Sequence, residues 1–296
     1  MKIKSSSFIQ AFSAYSLFSP ALVLMIFFII GPVLVVIFLS FTDWNFGSKS
    51  MNFIGFNNYI NLFSDDVFKS SFVNTIVFSL LVVPASIFLG MFLAILIQSS
   101  MSLSKFYRAV YFLPVMATTV AIAIVWQFAL HPSFGMVGHF LSLFGFENVD
   151  LLQNRHTALA TLAAITIWQF TGFNMVLFMA GLSSIPKELY DAANVDGCNS
   201  PWQKFQLITF PMLSPVTLFV AVYTTIRSFQ AFDLVKVLTQ GGPGNSTEIL
   251  VYTLYKEAFD FFRTGYASSI AVVFLLLILA LTAIKMLYFE KKVHYQ

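Results

Sequence analysis

The sequence predicts an all-α integral membrane protein of about six transmembrane helices, N-in and C-in, with a polar helix-turn-helix between spans 4 and 5. Three observations carry this. The 296 residues are 58% hydrophobic and only 10% charged, with a mean hydropathy of +0.82, outside the usual range of soluble domains. Six stretches, at about 17–41, 72–97, 109–130, 157–182, 209–232 and 266–289, meet the roughly 20 apolar residues that a bilayer core requires. None alternates as barrel strands do, and helices satisfy their own backbone groups in lipid.

Residues 1–16 form an expected internal tail. The first span is longer than a signal-peptide core, lacks an A-x-A site and is followed by more spans, so it is expected to be retained. Residues 17–289 make one transmembrane domain, and 290–296 a second internal tail. With both termini inside, Lys2, Lys4, Lys105, Arg108, Lys187, Lys204, Lys285, Lys291 and Lys292 are internal. Lys49, Lys69, Arg155, Lys236, Lys256 and Arg263 fall in the longer outer loops at 42–71, 131–156 and 233–265. Positive density is higher inside, which sets the orientation.

The longest internal loop, 183–208, is punctuated. Pro186 followed by Glu188 signals a helix start, expected to run from Pro186 to Val195. Along it Ile185, Leu189, Ala192 and Ala193 share one face, and Lys187, Asp191 and Asn194 another. Gly197 suits the helix end. Ser200-Pro201-Trp202-Gln203 then fits a capping box that opens a second helix. A solvated connector is the ordinary reading of such a loop, but a connector needs no rigid geometry. Two capped helices with small residues at the tip suit docking into a pocket on another protein.

"YDAANVDGCNSPWQKFQLITFP" resembles the cytoplasmic signature of permease subunits of binding-protein-dependent ABC importers. "FYRAVYFLPVMATTVAIAIVWQFALHPSFG" and "WQFTGFNMVLFMAGLSSIPKELYDAA" resemble the third and fourth spans of sugar permeases of the maltose-transporter type. "SFQAFDLVKVLTQGGPGNSTEILVYTLYKEAF" is similar to the fifth span and outer loop of the first of their two permease subunits. Two positions depart: Asp191 stands where the family often has Glu, and Cys198 where it usually has Ala.

The resemblance implies that Asp191, Ala192, Ala193 and Gly197 form a tip coupling the chain to an ATPase subunit dimer. It implies a substrate path lined by Thr166, Gln169, Phe170, Phe173, Thr224, Arg227 and Ser228, and a contact of Gly241, Gly242 and Pro243 with an extracytoplasmic substrate-binding protein. It also implies a heterodimer with a second permease subunit, a multi-pass place in the cytoplasmic membrane among its lipids, and a carbohydrate substrate: a sugar, oligosaccharide or polyol. A glycerol-phosphate-like or acidic sugar derivative is the alternative. Aromatic faces with donors and acceptors suit a polyhydroxylated ligand. Each residue also has a plainer use: the Phe rings in packing, the hydroxyls in bonds between helices, the glycines in an exposed turn. Arg227 either snorkels or pairs near Asp233, or faces the cavity.

The residues themselves narrow the chemistry. No G-x-x-x-x-G-K-[ST] loop is present and "GGPGNST" has no Lys, so no cofactor is expected in this chain; ATP and Mg belong on the partner ATPase. No span holds an Asp or Glu in its apolar interior, as an ion-coupled carrier would. The four His lack H-E-x-x-H spacing and the single Cys198 has no metal-ligand partner, which argues against an intramembrane enzyme or a metal site. No run of basic residues suggests nucleic acid.

Overall fold

The computed structural model describes residues 3–99, 104–146, 148–198 and 200–290; Lys2, Lys291 and Lys292, counted above as internal charges, lie outside them. Helices dominate, as lipid demands, with one isolated antiparallel bridge between Thr42 and Phe53 among the described residues. α1 (Ile3–Met25) runs through a π-helical turn (Ile26–Ile30) into α2 (Gly31–Leu39). There follow α3 (Asn57–Ser64), α4 (Asp66–Ser99), α5 (Ser104–Met116), α6 (Thr119–Ala129), α7 (Met136–Ser142) and α8 (Ala158–Ser183). Next come α9 (Lys187–Val195), α10 (Pro201–Lys204), a second π turn (Phe205–Thr209), α11 (Phe210–Met212) and α12 (Ser214–Phe229). The chain ends in α13 (Phe232–Leu238), α14 (Leu250–Tyr255), a third π turn (Lys256–Asp260) and α15 (Thr264–Glu290).

Among the described residues, five stretches are long and apolar enough to cross a bilayer: Ala14–Leu39, Asp66–Gln98, Ala158–Ser183, Ser214–Leu238 and Thr264–Leu287. The expected third span differs. Instead of one helix over 109–130, α5 and α6 meet at a 99° bend, so the count reaches 6 only if the pair is taken as one span. The cause is local: Thr118 is extended (φ −66°, ψ 145°) and its hydroxyl accepts from the Ala121 N–H, capping α6 afresh. Pro114 inside α5 removes a donor just before the break. The expected fifth span is also divided. Pro211 and Pro215 lie at the starts of α11 and α12, and a tight turn at Ala231 (φ −73°, ψ 42°), with Phe232 N–H donating to Gln230 O at 2.8 Å, separates α12 from α13.

The chain forms two compact units. The first comprises Met1–Ser64 and Leu254–Val273. There, Asn58 Nδ2 donates to the carbonyls of Ser40 and Thr42 at 2.9 and 2.8 Å, tying α3 to the end of α2. Asp43 accepts from the Asn52 backbone and side chain at 2.8 and 2.9 Å, closing the intervening loop. Arg263 reaches the buried Glu257 at 2.6 Å.

The second unit comprises Asp65–Thr253 and Phe274–Gln296, and holds every expected site residue. Its core is Ala94 and Ile97 of α4, Met175, Phe178 and Met179 of α8, Ile185, Leu213, and Val220 of α12. Water does not drive helices together in lipid, so close approach matters. A Cβ at Gly90 would meet the Asn174 Cβ at 2.6 Å, and one at Gly172 would collide with the Tyr111 carbonyl of α5. These two glycines therefore let α8 lie directly against α4 and α5.

Candidate functional site: a capped loop, a two-helix face and an outer turn

The loop after α8 is built as two helices. Pro186 is the N-cap of α9, with φ −59° and ψ 134°, so the helix begins at Lys187, one residue later than expected. Glu188 sits in the first turn, where a carboxylate meets the positive end of the helix dipole. At the other end Gly197 takes φ 83°. Cys198 N–H donates to Ala193 O at 2.8 Å and Gly197 N–H to Asn194 O at 3.2 Å, which is a Schellman closure. Asp191, Ala192 and Gly197 are exposed and Ala193 half-buried.

Two details of the loop correct the sequence expectation. The inward face of α9 is Tyr190 with Ala193, whereas Leu189 and Ala192 are exposed, because the Tyr190 phenol is drawn to the Thr209 hydroxyl at 2.9 Å. The capping box does not form: Ser200 has N-cap geometry and its carbonyl accepts from Lys204 N–H at 3.1 Å, but its hydroxyl makes no capping bond. Pro201, with its fixed φ, opens α10 instead. Between the loop and the ends of α4 and α8 lies a cavity of about 580 Å³, whose polar lining is Gln98, Ser183, Lys187, Tyr190, Lys204 and Thr209.

The expected path residues on α8 and α12 fall into two groups by burial. Thr166, Thr224 and Ser228 are buried, with their hydroxyls bonded inside the unit. Thr166 donates to Leu162 O at 2.9 Å, Thr224 to Asn174 Oδ1 at 3.2 Å, and Ser228 to Thr225 O at 2.8 Å while pairing with Ser79 of α4 at 2.9 Å. Gln169, Phe170 and Phe173 are half-buried, and Arg227 is exposed. On α8, positions 166, 169, 170 and 173 recur at helical spacing and share a face. Among the described residues Arg227 has no ion pair, and Asp233 does not serve it.

Two residues beyond the expected set join this face. The Tyr223 ring stacks on Phe173 at 4.7 Å and 28°, with Phe219 stacked on Tyr223 at 6.2 Å. Phe219, Tyr223 and Arg227 recur every four residues along α12, a spacing visible in the sequence. Asn174 is 1% exposed, and its Nδ2 has no hydrogen-bond partner among the described residues.

The loop expected on the outer side is held from within. Gln240, Gly241, Gly244 and Asn245 all have positive φ. Asn74 of α4 donates to the carbonyls of Asn245 and Glu248, each at 2.9 Å. The Thr247 hydroxyl lies 2.7 Å from both Gly242 O and Thr239 Oγ1. Gly241 is buried, and a side chain there would strike the Glu248 carboxylate. Its glycine is therefore required by an internal neighbour, and only Gly242 and Pro243 of the expected trio are partly exposed.

Residues 86–295 match the family described as "Binding-protein-dependent transport system inner membrane component". A probable ABC transporter permease of Pyrococcus horikoshii is 36% identical over 90% of this chain and 90% of its own length. The sn-glycerol-3-phosphate transport permease UgpA of Pectobacterium atrosepticum is 30% identical over 95% of each chain. Among solved structures, a bacterial ABC transporter involved in the import of the acidic polysaccharide alginate shares the fold, with a TM-score of 0.83 at 22% identity over 97% of this chain and 98% of that one. The chain belongs to the binding-protein-dependent transport system inner membrane component family, and is a multi-pass inner-membrane permease subunit of an ABC importer.

Proposed function

We propose that this permease forms half of a translocation path for a carbohydrate delivered by an extracytoplasmic binding protein, and that α9 couples it to a separate ATPase dimer. A second permease subunit completes the path, both termini are cytoplasmic, and ATP and Mg are held by the ATPase. The observation that carries the reading is the exposed tip of α9, closed by the Schellman turn at Gly197 and braced by Tyr190 against Thr209. Small exposed side chains allow a close socket, and the Asp191 carboxylate can take a charge-assisted bond from a basic group there. The stacked Phe173 and Tyr223 beside Gln169 suit the C–H faces and hydroxyls of a polyol or sugar.

A second reading of the substrate is favoured by one observation. Arg227 is exposed and without an ion pair among the described residues, so its guanidinium is free to receive a carboxylate or phosphate. The named cargoes of two similar proteins, sn-glycerol-3-phosphate and acidic alginate, are of that charge. Coupling is tested by Asp191→Lys in the assembled transporter. Uptake and its stimulation of ATP hydrolysis should be lost while membrane insertion is unchanged; undiminished uptake overturns the assignment.

A further inference from the structure

We propose that Lys285 is a positioning residue of the translocation path, a cation within a span that ties α15 to the turn of α12 carrying Tyr223 and Thr224. The inference rests on the permease reading above for what that turn does, but the tie itself stands on geometry. Lys285, one of the charges expected on the internal side, lies within the expected span 266–289 and near the end of the apolar stretch Thr264–Leu287. Its neighbours Ile284, Met286 and Leu287 are exposed apolar residues on the same helix. An ammonium in that setting requires acceptors or water.

The acceptors come from α12. The Lys285 ammonium donates to Ala221 O at 3.2 Å and to the Thr225 hydroxyl oxygen. The Thr225 hydroxyl donates in turn to Ala221 O at 2.6 Å. Among the described residues Lys285 makes no ion pair, so a carbonyl and a hydroxyl are the groups that hold it. The opposite flank of the same turn is held by α8, through Thr224 on Asn174 and Tyr223 on Phe173. One helical turn, 221–225, is thus gripped from two sides, and both grips bear on Tyr223 and on Arg227 one turn further along.

The chemistry makes this more than packing. Ala221 O receives a side-chain hydroxyl and an ammonium in addition to its place in the helix, and a side chain bonding back to the carbonyl four residues earlier loosens and bends a helix. The tight turn at Ala231 follows shortly after. The backbone of α12 runs unbroken to Phe229, so these side-chain bonds act on the direction of an intact helix between Lys285's contact and that turn.

The test has two arms. In the full chain embedded in lipid nanodiscs, Lys285→Met should raise amide exchange over 221–225 by about three- to tenfold, the range for losing a hydrogen bond between membrane helices. Lys285→Arg should restore protection in part, Thr225→Val, which removes one of the two acceptors, should raise exchange over the same residues, and the loss in the double variant should be smaller than the sum of the two. Met is at home in lipid, and Thr225→Val removes the hydroxyl contact from the other partner while leaving the one to Ala221 O, so a folding failure of one variant leaves the other decisive. Unchanged exchange, or losses that add in the double variant, overturns the tie. In the assembled transporter, Lys285→Met should weaken the apparent substrate affinity several-fold while unstimulated ATP hydrolysis stays unchanged. Unaltered affinity overturns the positioning role. Altered exchange in a native transporter that takes up no carbohydrate leaves the tie standing and removes the carbohydrate reading instead.

Discussion

The phenol of Tyr190 and the hydroxyl of Thr209 meet at 2.9 Å, joining α9 to the π-helical turn that leads into α12. Tyr190 stands directly before Asp191 at the exposed tip, and Thr209 is buried. Under the proposed coupling role, this bond is the route by which displacement of the tip would reach the helix that bears Tyr223 and Arg227. Tyr190→Phe keeps the ring and removes the bond, at a cost of about 1 kcal/mol. The expected outcome is normal insertion with fewer substrate molecules carried per ATP hydrolysed. An unchanged ratio, measured in proteoliposomes, would remove this bond from the coupling route.

Arg227 offers the sharpest test of cargo charge. If the cargo is anionic, Arg227→Gln should lower its affinity by about tenfold or more, since a charge-assisted bond contributes about 1.5–3 kcal/mol, and neutral sugars should be affected far less. If the cargo is neutral, Gln169→Ala and Arg227→Gln should shift affinity by similar, smaller amounts. Competition of labelled uptake by neutral and acidic sugars separates the two outcomes, and indifference to both substitutions would take these residues off the path.

The pH dependence of the first unit follows from Asp43. Its carboxyl is held below the usual aspartate range, chiefly by the Asn52 side-chain amide and then by the Asn52 backbone N–H. A lowered folded-state value means that the loop between Asp43 and Asn52 is stabilised above the ordinary aspartate value of about 3.9. That contribution is lost as pH falls through the lower, folded value. Protection of the Asn52 amide should be constant from neutrality down to about pH 4 and decline below it, and Asp43→Asn should remove the dependence. A decline beginning near neutrality would rule out Asp43 as its source.

Much of this was legible in the sequence because the bilayer imposes strong local rules. Apolar length located five spans, and Pro186, Glu188 and Gly197 bounded α9 to within one residue, since backbone and dipole terms act within a single turn. The 99° bend between α5 and α6 escaped the length criterion, because an apolar window runs through Pro114 and Thr118 without registering the change of direction they allow. Nor was the burial of Thr166, Thr224 and Ser228. A hydroxyl bonded to its own helix and one turned to a ligand have the same sequence, and only the neighbours Leu162, Asn174, Ser79 and Thr225 distinguish them.

By itself, then, the sequence determined that the chain is helical and spans a membrane, where its capped loop falls, and which family's motifs it carries. Each depends on residues within a few turns of one another. Tertiary structure decided which face of α9 turns inward, why Gly241 must be glycine, where the Lys285 ammonium is held, and that Tyr223 stacks on Phe173. These are contacts between segments 19 residues apart in the case of Tyr190 and Thr209 and 64 apart in that of Lys285 and Ala221. Within the spans the bilayer supplies no alternative hydrogen-bond partner, so the position of each polar group there is set by whichever helix the packing brings beside it.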